Sequence, residues 1–186
     1  MSILGNFTLK NKMNLERFLG KLGSNFDNVA QAIFEFVDNA VSNFRGHQGN
    51  SNVVRTIRIA IQNLGEQVQI EVEDGGTGIK NLDNAMTVAG GDAPESPLNE
   101  HGFGLKHALA YMDKYGCSWE LATRDETDRA LNRYRRVKAP YNIGGEGNYE
   151  EGWVGNVNST GTVIRFCCPM SVFETLAPNR KKGIFL

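Results

Sequence analysis

Glu35 and Asn39 stand four residues apart in the segment Glu35-Phe36-Val37-Asp38-Asn39-Ala40, a spacing that turns both side chains to one face of a helix. A carboxylate there can orient and deprotonate a water. The neighbouring amide oxygen can hold Mg²⁺, a cation that takes few protein ligands and completes its octahedron with water and phosphate oxygens. A second segment, Asp74-Gly75-Gly76-Thr77-Gly78-Ile79, sets an acceptor-only carboxylate among glycines, which let backbone approach a flat ligand closely. Asp74 can accept from the exocyclic amine of adenine, where guanine offers a carbonyl. The third, His101-Gly102-Phe103-Gly104-Leu105-Lys106, places a glycine pair before a helical stretch, whose free N–H groups and dipole suit phosphate. Lys106 adds a charge. Each segment alone also reads plainly, as a solvated helix face, an Asp-Gly turn and a glycine turn with a surface lysine. In this order they supply what an ATP site needs.

The elements that must position them follow from periodicity. Phe26, Val29, Ala30, Ile33, Phe34, Val37, Ala40, Val41 and Phe44 recur at helical spacing, with Ser24 available as a cap and Gln31, Glu35, Asn39 and Ser42 on the opposite stripe. Alternation over residues 53–61 and 67–73, with Asn63-Leu64-Gly65-Glu66 between, predicts a β-hairpin that ends at Asp74. A short helix is expected over 81–88, then a loop at 90–97 containing Gly90, Gly91 and two prolines, able to serve as a lid. Leu105, Ala108, Leu109, Met112 and Tyr115 mark one face of a further helix that Gly116 can terminate. Antiparallel strands are expected at 118–123, 133–138, 152–157 and 162–167, joined by polar loops. Met86 fits either a pocket wall or the core, and helix-spaced methionines usually serve the core.

Composition narrows the function classes. The chain has 186 residues and a formal charge of -1, enough for one domain with a real core and no electrostatic case for DNA or acidic membranes as a whole. No apolar run reaches a membrane span and no signal-peptide stretch opens the chain, which reads as soluble and intracellular, cytoplasmic or, in a eukaryote, nuclear. Three cysteines, two of them adjacent at Cys167-Cys168, suit neither a disulfide framework nor zinc spacing. Neither His101 nor His107 has a spacing partner for a metal. No P-loop and no Gly-x-Ser-x-Gly elbow is present. The loop at 144–148 is glycine-rich, but Glu146, Glu150 and Glu151 would repel phosphate. Arg133-Tyr134-Arg135-Arg136 with Lys138 alternates as the solvent face of a strand would.

Together the motifs resemble those of the GHKL superfamily, which includes DNA gyrase B subunits, the large heat-shock chaperones, sensor histidine kinases, MutL mismatch-repair proteins and MORC proteins. The resemblance covers about residues 26–166. It implies an α+β fold of Bergerat type, a two-layer sandwich whose mixed sheet is covered on one face by helices, with ATP beneath a flexible lid. Glu35 would then be the general base, Asn39 the Mg²⁺ ligand and Asp74 the adenine contact. Gly76, Gly78, Ile79 and Met86 would line the base pocket. Gly102, Phe103, Gly104, Leu105 and Lys106 would wrap the phosphates, Gly90 and Gly91 would belong to the lid, and Gly161-Thr162 would match a late-strand pair that puts Thr162 near adenine.

The segment containing Glu35 favours the hydrolysing branches, since histidine kinases usually lack that glutamate, and Gly102-Phe103-Gly104-Leu105-Lys106 before an Ala-rich helix looks most like the MORC-like and chaperone-like ones. The implied activity is Mg²⁺-dependent ATP binding and hydrolysis driving a conformational or dimerisation switch in a larger protein. The alternatives are kinase-type phosphotransfer and a non-hydrolysing nucleotide sensor. The expected organisation is an N-terminal segment at 1–25, an ATP-binding domain at 26–168 and a C-terminal segment at 169–186 leading toward a downstream domain. Such a domain commonly brings a lysine or arginine to the terminal phosphate. The motifs name no client protein and give no sign of whether DNA is bound.

Overall fold

A computed structural model of the chain describes residues 26–87, 104–141, 149–153 and 159–174. The long amphipathic stretch folds as α1, Val29–Gly46, and its cap is Asn28 rather than Ser24: the Asn28 side chain accepts from the Gln31 N–H at 3.2 Å. Val29, Ala32, Ile33, Phe36 and Ala40 make its buried stripe. Phe34 departs from the expected apolar face. It lies roughly 140° round the helix from Val29 and is 63% exposed. Glu35, Asn39 and Asn43 run along the other flank of the buried stripe, a line of polar groups beside the core.

The hairpin forms as β1, Val54–Asn63, and β2, Gln67–Gly75, with the Gly65 N–H held by the Asn63 side chain at 2.8 Å. Next come α2, Leu82–Met86, and α3, Gly104–Lys114. Gly116, at φ +69°, ends α3 as expected. The rest is β3 (Ser118–Arg124), α4 (Glu126–Ala130), β4 (Arg133–Lys138), β5 (Glu150–Trp153), β6 (Gly161–Pro169) and α5 (Met170–Phe173). Met170, Val172 and Phe173 pack against the core, so the packed unit reaches past Cys168. Helix α4 has no counterpart in the sequence reading. Its five residues carry no apolar period, and its one local signal is a capping box in which Asp125 and Asp128 each bond the other's backbone N–H.

The six strands form one sheet in the order β1-β2-β6-β3-β4-β5. Every described pairing is antiparallel, which corrects the expectation of a mixed sheet. Strands β2 and β3 do run parallel to each other, as strands joined through helices do, but β6 inserts between them and pairs antiparallel with both. The fold is α+β, a two-layer sandwich. Val68, Ile70 and Val72 of β2, Trp119 and Leu121 of β3 and Ile164 and Phe166 of β6 meet α1 and α3 in a single core.

The opposite face of the sheet is polar, and its charges are ordered. Arg58 of β1 pairs with Glu71 of β2 at 2.7 Å, and Glu71 with Arg165 of β6 at 2.6 Å. Arg165 reaches Glu120 of β3 at 2.6 Å, Glu120 lies 3.6 Å from Arg136 of β4, and Arg136 meets Glu150 of β5 at 2.7 Å. Charge thus alternates across all six strands, which places this face in water and the apolar layer on the other side. Among the described residues no helix is long and apolar enough to cross a membrane.

Candidate functional site

Alternation along the strands builds the site. Val72, Ile164 and Leu121 stand beside one another on β2, β6 and β3 and point into the helical layer. Two residues farther on, the same faces present Asp74, Thr162 and Thr123, again in register. An apolar floor therefore ends in a polar row. Above it lies a cleft of about 1150 Å³, lined also by Phe36 and Asn39 from α1, Leu105 and Lys106 from α3, and Gly78 and Ile79 from the turn after β2.

The turn is held from several sides. Asp74 Oδ1 accepts from the Gly76 N–H at 2.8 Å, and the Gly76 carbonyl accepts from Thr160 Oγ1 at 2.6 Å. The Ile79 N–H donates to Thr123 Oγ1 at 2.7 Å, and Thr123 Oγ1 lies 3.2 Å from Thr162 Oγ1. Gly78 has φ +72° and passes so close to the Arg124 carbonyl that a methyl group there would overlap it, so glycine is required on both counts. Gly76 does not line the cleft; it fixes the carboxylate that does.

Burial pushes the Asp74 pKa up to about 6, against the lowering hydrogen bonds from the Gly76 and Thr162 backbone. The folded value thus exceeds the ordinary 3.8, so the native state holds a proton that the unfolded chain has released. Stability from this group is complete below about pH 3.8 and is lost as pH rises through 6, by at most about 3 kcal/mol. Asp74→Asn keeps an acceptor for the Gly76 N–H without the charge. It should melt several degrees above the parent at pH 8, with the advantage shrinking toward pH 4. Equal melting temperatures at pH 8 would mean that the buried charge costs nothing.

Beside the cleft, Glu35 on α1 faces the first residue of α3. A methyl group on Gly104 would overlap Glu35 Oε2, so the glycine is what lets the carboxylate rest against the opening turn of that helix. Burial first, and then the neighbouring Asp38 charge, raise the Glu35 pKa. That moves it toward the range of a working base. Asn39, one turn along α1 from Glu35, lines the cleft. Lys106 is buried and its pKa is lowered by that burial.

Of the sequence-derived site residues, the structure brings Asn39, Asp74, Gly78, Ile79, Leu105, Lys106 and Thr162 to the cleft, with Glu35 and Gly104 in contact with each other beside it. Met86 it does not bring: its side chain packs against the core, and its carbonyl accepts from the Tyr141 hydroxyl. Gly90, Gly91, Gly102 and Phe103 lie outside the described residues, as do His101 and the lid at 90–97. His107 packs edge-on against Phe26, with ring centroids 6.3 Å apart.

Two site residues escaped the sequence reading. Asn43 sits four positions beyond Asn39 and binds Thr77. Arg135 is buried, which corrects the reading of the basic run as a solvent face: only Tyr134, Arg136 and Lys138 take the outer side of β4. Arg135 Nε donates to Asp128 Oδ2 at 2.8 Å and its Nη2 to Asp125 Oδ2 at 3.1 Å. The same guanidinium donates to the Ile79 carbonyl at 2.6 Å and the Lys80 carbonyl at 3.2 Å. One side chain therefore fastens the turn after β2 to the capping box of α4.

The arrangement can take a flat ring with an amine donor at Asp74 and an anionic group near Lys106. Among the described residues no cluster of three His, Cys, Asp or Glu side chains could hold a metal ion. A divalent cation would rely on the Asn39 oxygen, water and the ligand's own oxygens, which suits Mg²⁺. A scan against protein-family models finds no match for the chain, and a search of curated proteins finds no relative.

Proposed function

We propose that the cleft binds an adenine nucleoside triphosphate with Mg²⁺ and hydrolyses it. One observation carries this reading: a mostly buried carboxylate, Asp74, sits at the edge of an apolar floor in the cleft, while Glu35 rests against the first turn of α3 beside it. The GHKL resemblance of the sequence supports the same assignment, and the two-layer fold agrees with it in outline.

Asp74 would accept from the adenine amine and leave guanine's carbonyl facing a charge. Val72, Ile164 and Leu121 would pack the ring. The N–H groups at the start of α3 and the Lys106 charge would bind phosphate oxygens. Asn39 would hold Mg²⁺, whose charge neutralises the phosphates as they separate. Glu35 would orient the attacking water and take its proton. The GHKL proteins it resembles often dimerise when ATP closes the lid, and we extend that coupling to this chain as part of the proposal.

The test is a time course of phosphate release from γ-labelled ATP, with the protein recovered and checked for covalent label. Release with no labelled protein supports hydrolysis. Label retained on the chain would move the assignment to phosphotransfer, and binding without release would make it a sensor.

A further inference from the structure

We propose that Asn43 is the positioning residue that holds the base-reading turn in register with the catalytic face of α1, so that base affinity and selectivity depend on it. The inference rests on the nucleotide reading above. It begins with a line of three side chains. Glu35, Asn39 and Asn43 are spaced by four on one helix, so the first and last are separated by about 12 Å along its axis. Glu35 abuts α3 and Asn43 abuts the turn after β2. The helix is a rigid spacer between the start of α3 and the turn after β2.

The contact at the turn uses both ends of the Asn43 amide. Its Oδ1 accepts from the Thr77 N–H at 2.9 Å, and its Nδ2 donates to Thr77 Oγ1 at 2.8 Å. The same Oδ1 lies so close to Gly76 that a methyl group there would collide with both Asn43 and Asp74. Asp74 in turn takes its aim from the Gly76 N–H. The chain of contacts therefore runs from α1 through Asn43 and Thr77 to the residue whose N–H orients Asp74. A surface asparagine satisfied by water would make none of these contacts, and Asn43 lines the cleft.

Two substitutions separate positioning from mere packing. Asn43→Ala removes both hydrogen bonds, and should raise the KM for ATP about tenfold and lower the preference for ATP over GTP, while kcat at saturation stays within about threefold. Glu35 and Asn39 remain in place, which is why the effect should divide in this way. Asn43→Asp still accepts from the Thr77 N–H, and the Thr77 hydroxyl can rotate to donate to it. It adds a carboxylate beside Asp74, whose other charged surroundings are Glu73 on its own strand and the cleft's Lys80, Asp83, Lys106, Asp125, Glu126 and Arg135, with the titratable His47 past the end of α1. The pH below which ATP binding weakens should accordingly move upward in Asn43→Asp relative to the parent.

Steady-state kinetics with ATP and GTP, and ATP titrations from pH 5 to 8, provide the readouts, with melting temperatures taken alongside. If the parent binds no nucleotide, the reading of the site fails and this inference fails with it. If the parent binds ATP and Asn43→Ala matches it in KM and selectivity, the positioning role alone is overturned. Should Asn43→Ala fail to fold, Asn43→Asp decides: an unshifted pH profile overturns the inference and an upward shift supports it.

Discussion

Glu35→Gln should leave ATP affinity near the parent's and cut turnover by about 10²–10⁴-fold, the usual contribution of a positioned base. The amide keeps the volume of the carboxylate, so it still fits against Gly104, where any larger backbone neighbour would already collide. What it loses is the ability to take a proton from water. The parent's kcat should also fall on the acid side, with the midpoint above the ordinary glutamate range, because burial and Asp38 both disfavour the charged form. Phosphate release under single-turnover conditions reads the chemical step directly. A Glu35→Gln protein that hydrolyses ATP at the parental rate would place water activation elsewhere.

Arg135→Ala should destabilise the domain by about 3–5 kcal/mol, as expected when one partner of a buried ion pair is removed. Asp128 is 1% exposed and cannot turn to water for compensation, although Arg133 still reaches it at 3.0 Å; Asp125 borders the cleft and keeps only the Asp128 N–H and cleft water. For a domain of this size the melting temperature should fall by roughly 6–20 °C. ATP affinity should fall as well, since the Ile79 and Lys80 carbonyls lose their common donor. Arg135→Lys should recover only part of the loss, because an ammonium lacks the planar fork that reaches two carboxylates and two carbonyls together. Thermal melts of the three proteins check this. A melting temperature for Arg135→Ala within about 2 °C of the parent would show that the network is dispensable.

Where local pattern and tertiary packing agreed, the sequence was easy to read. The apolar period of α1 and the alternation of β2 were both visible, and the alternation carries directly from Val68, Ile70 and Val72 to an inward-pointing Asp74. The same logic put Thr162 beside it. The errors arose where a residue's environment is made by distant chain. Ser42 and Asn43 both fall near the polar face of α1, and only the position of Thr77, 34 residues away, selects Asn43. Arg135 looked like its basic neighbours because the acids that draw it inward belong to a capping box with no hydrophobic period. The mixed sheet is what the GHKL resemblance implies, and the insertion of β6 between β2 and β3, which leaves every described pairing antiparallel, depends on pairings no local pattern records. Phe34 was counted with the core because it is apolar, yet the buried stripe passes on the other side of the helix.

The central claim is that Asp74 selects an adenine nucleotide, and calorimetric titration of the protein with ATP and with GTP, each with Mg²⁺ at pH 7.5, tests it most directly. Guanine would leave a mostly buried carboxylate facing a carbonyl, an unpaired arrangement costing about 1–3 kcal/mol, or roughly ten- to hundredfold in affinity. The account predicts ATP tighter than GTP by that ratio, with the preference lost in Asp74→Asn. Equal affinity of the parent for the two nucleotides, or no binding of ATP, would contradict it.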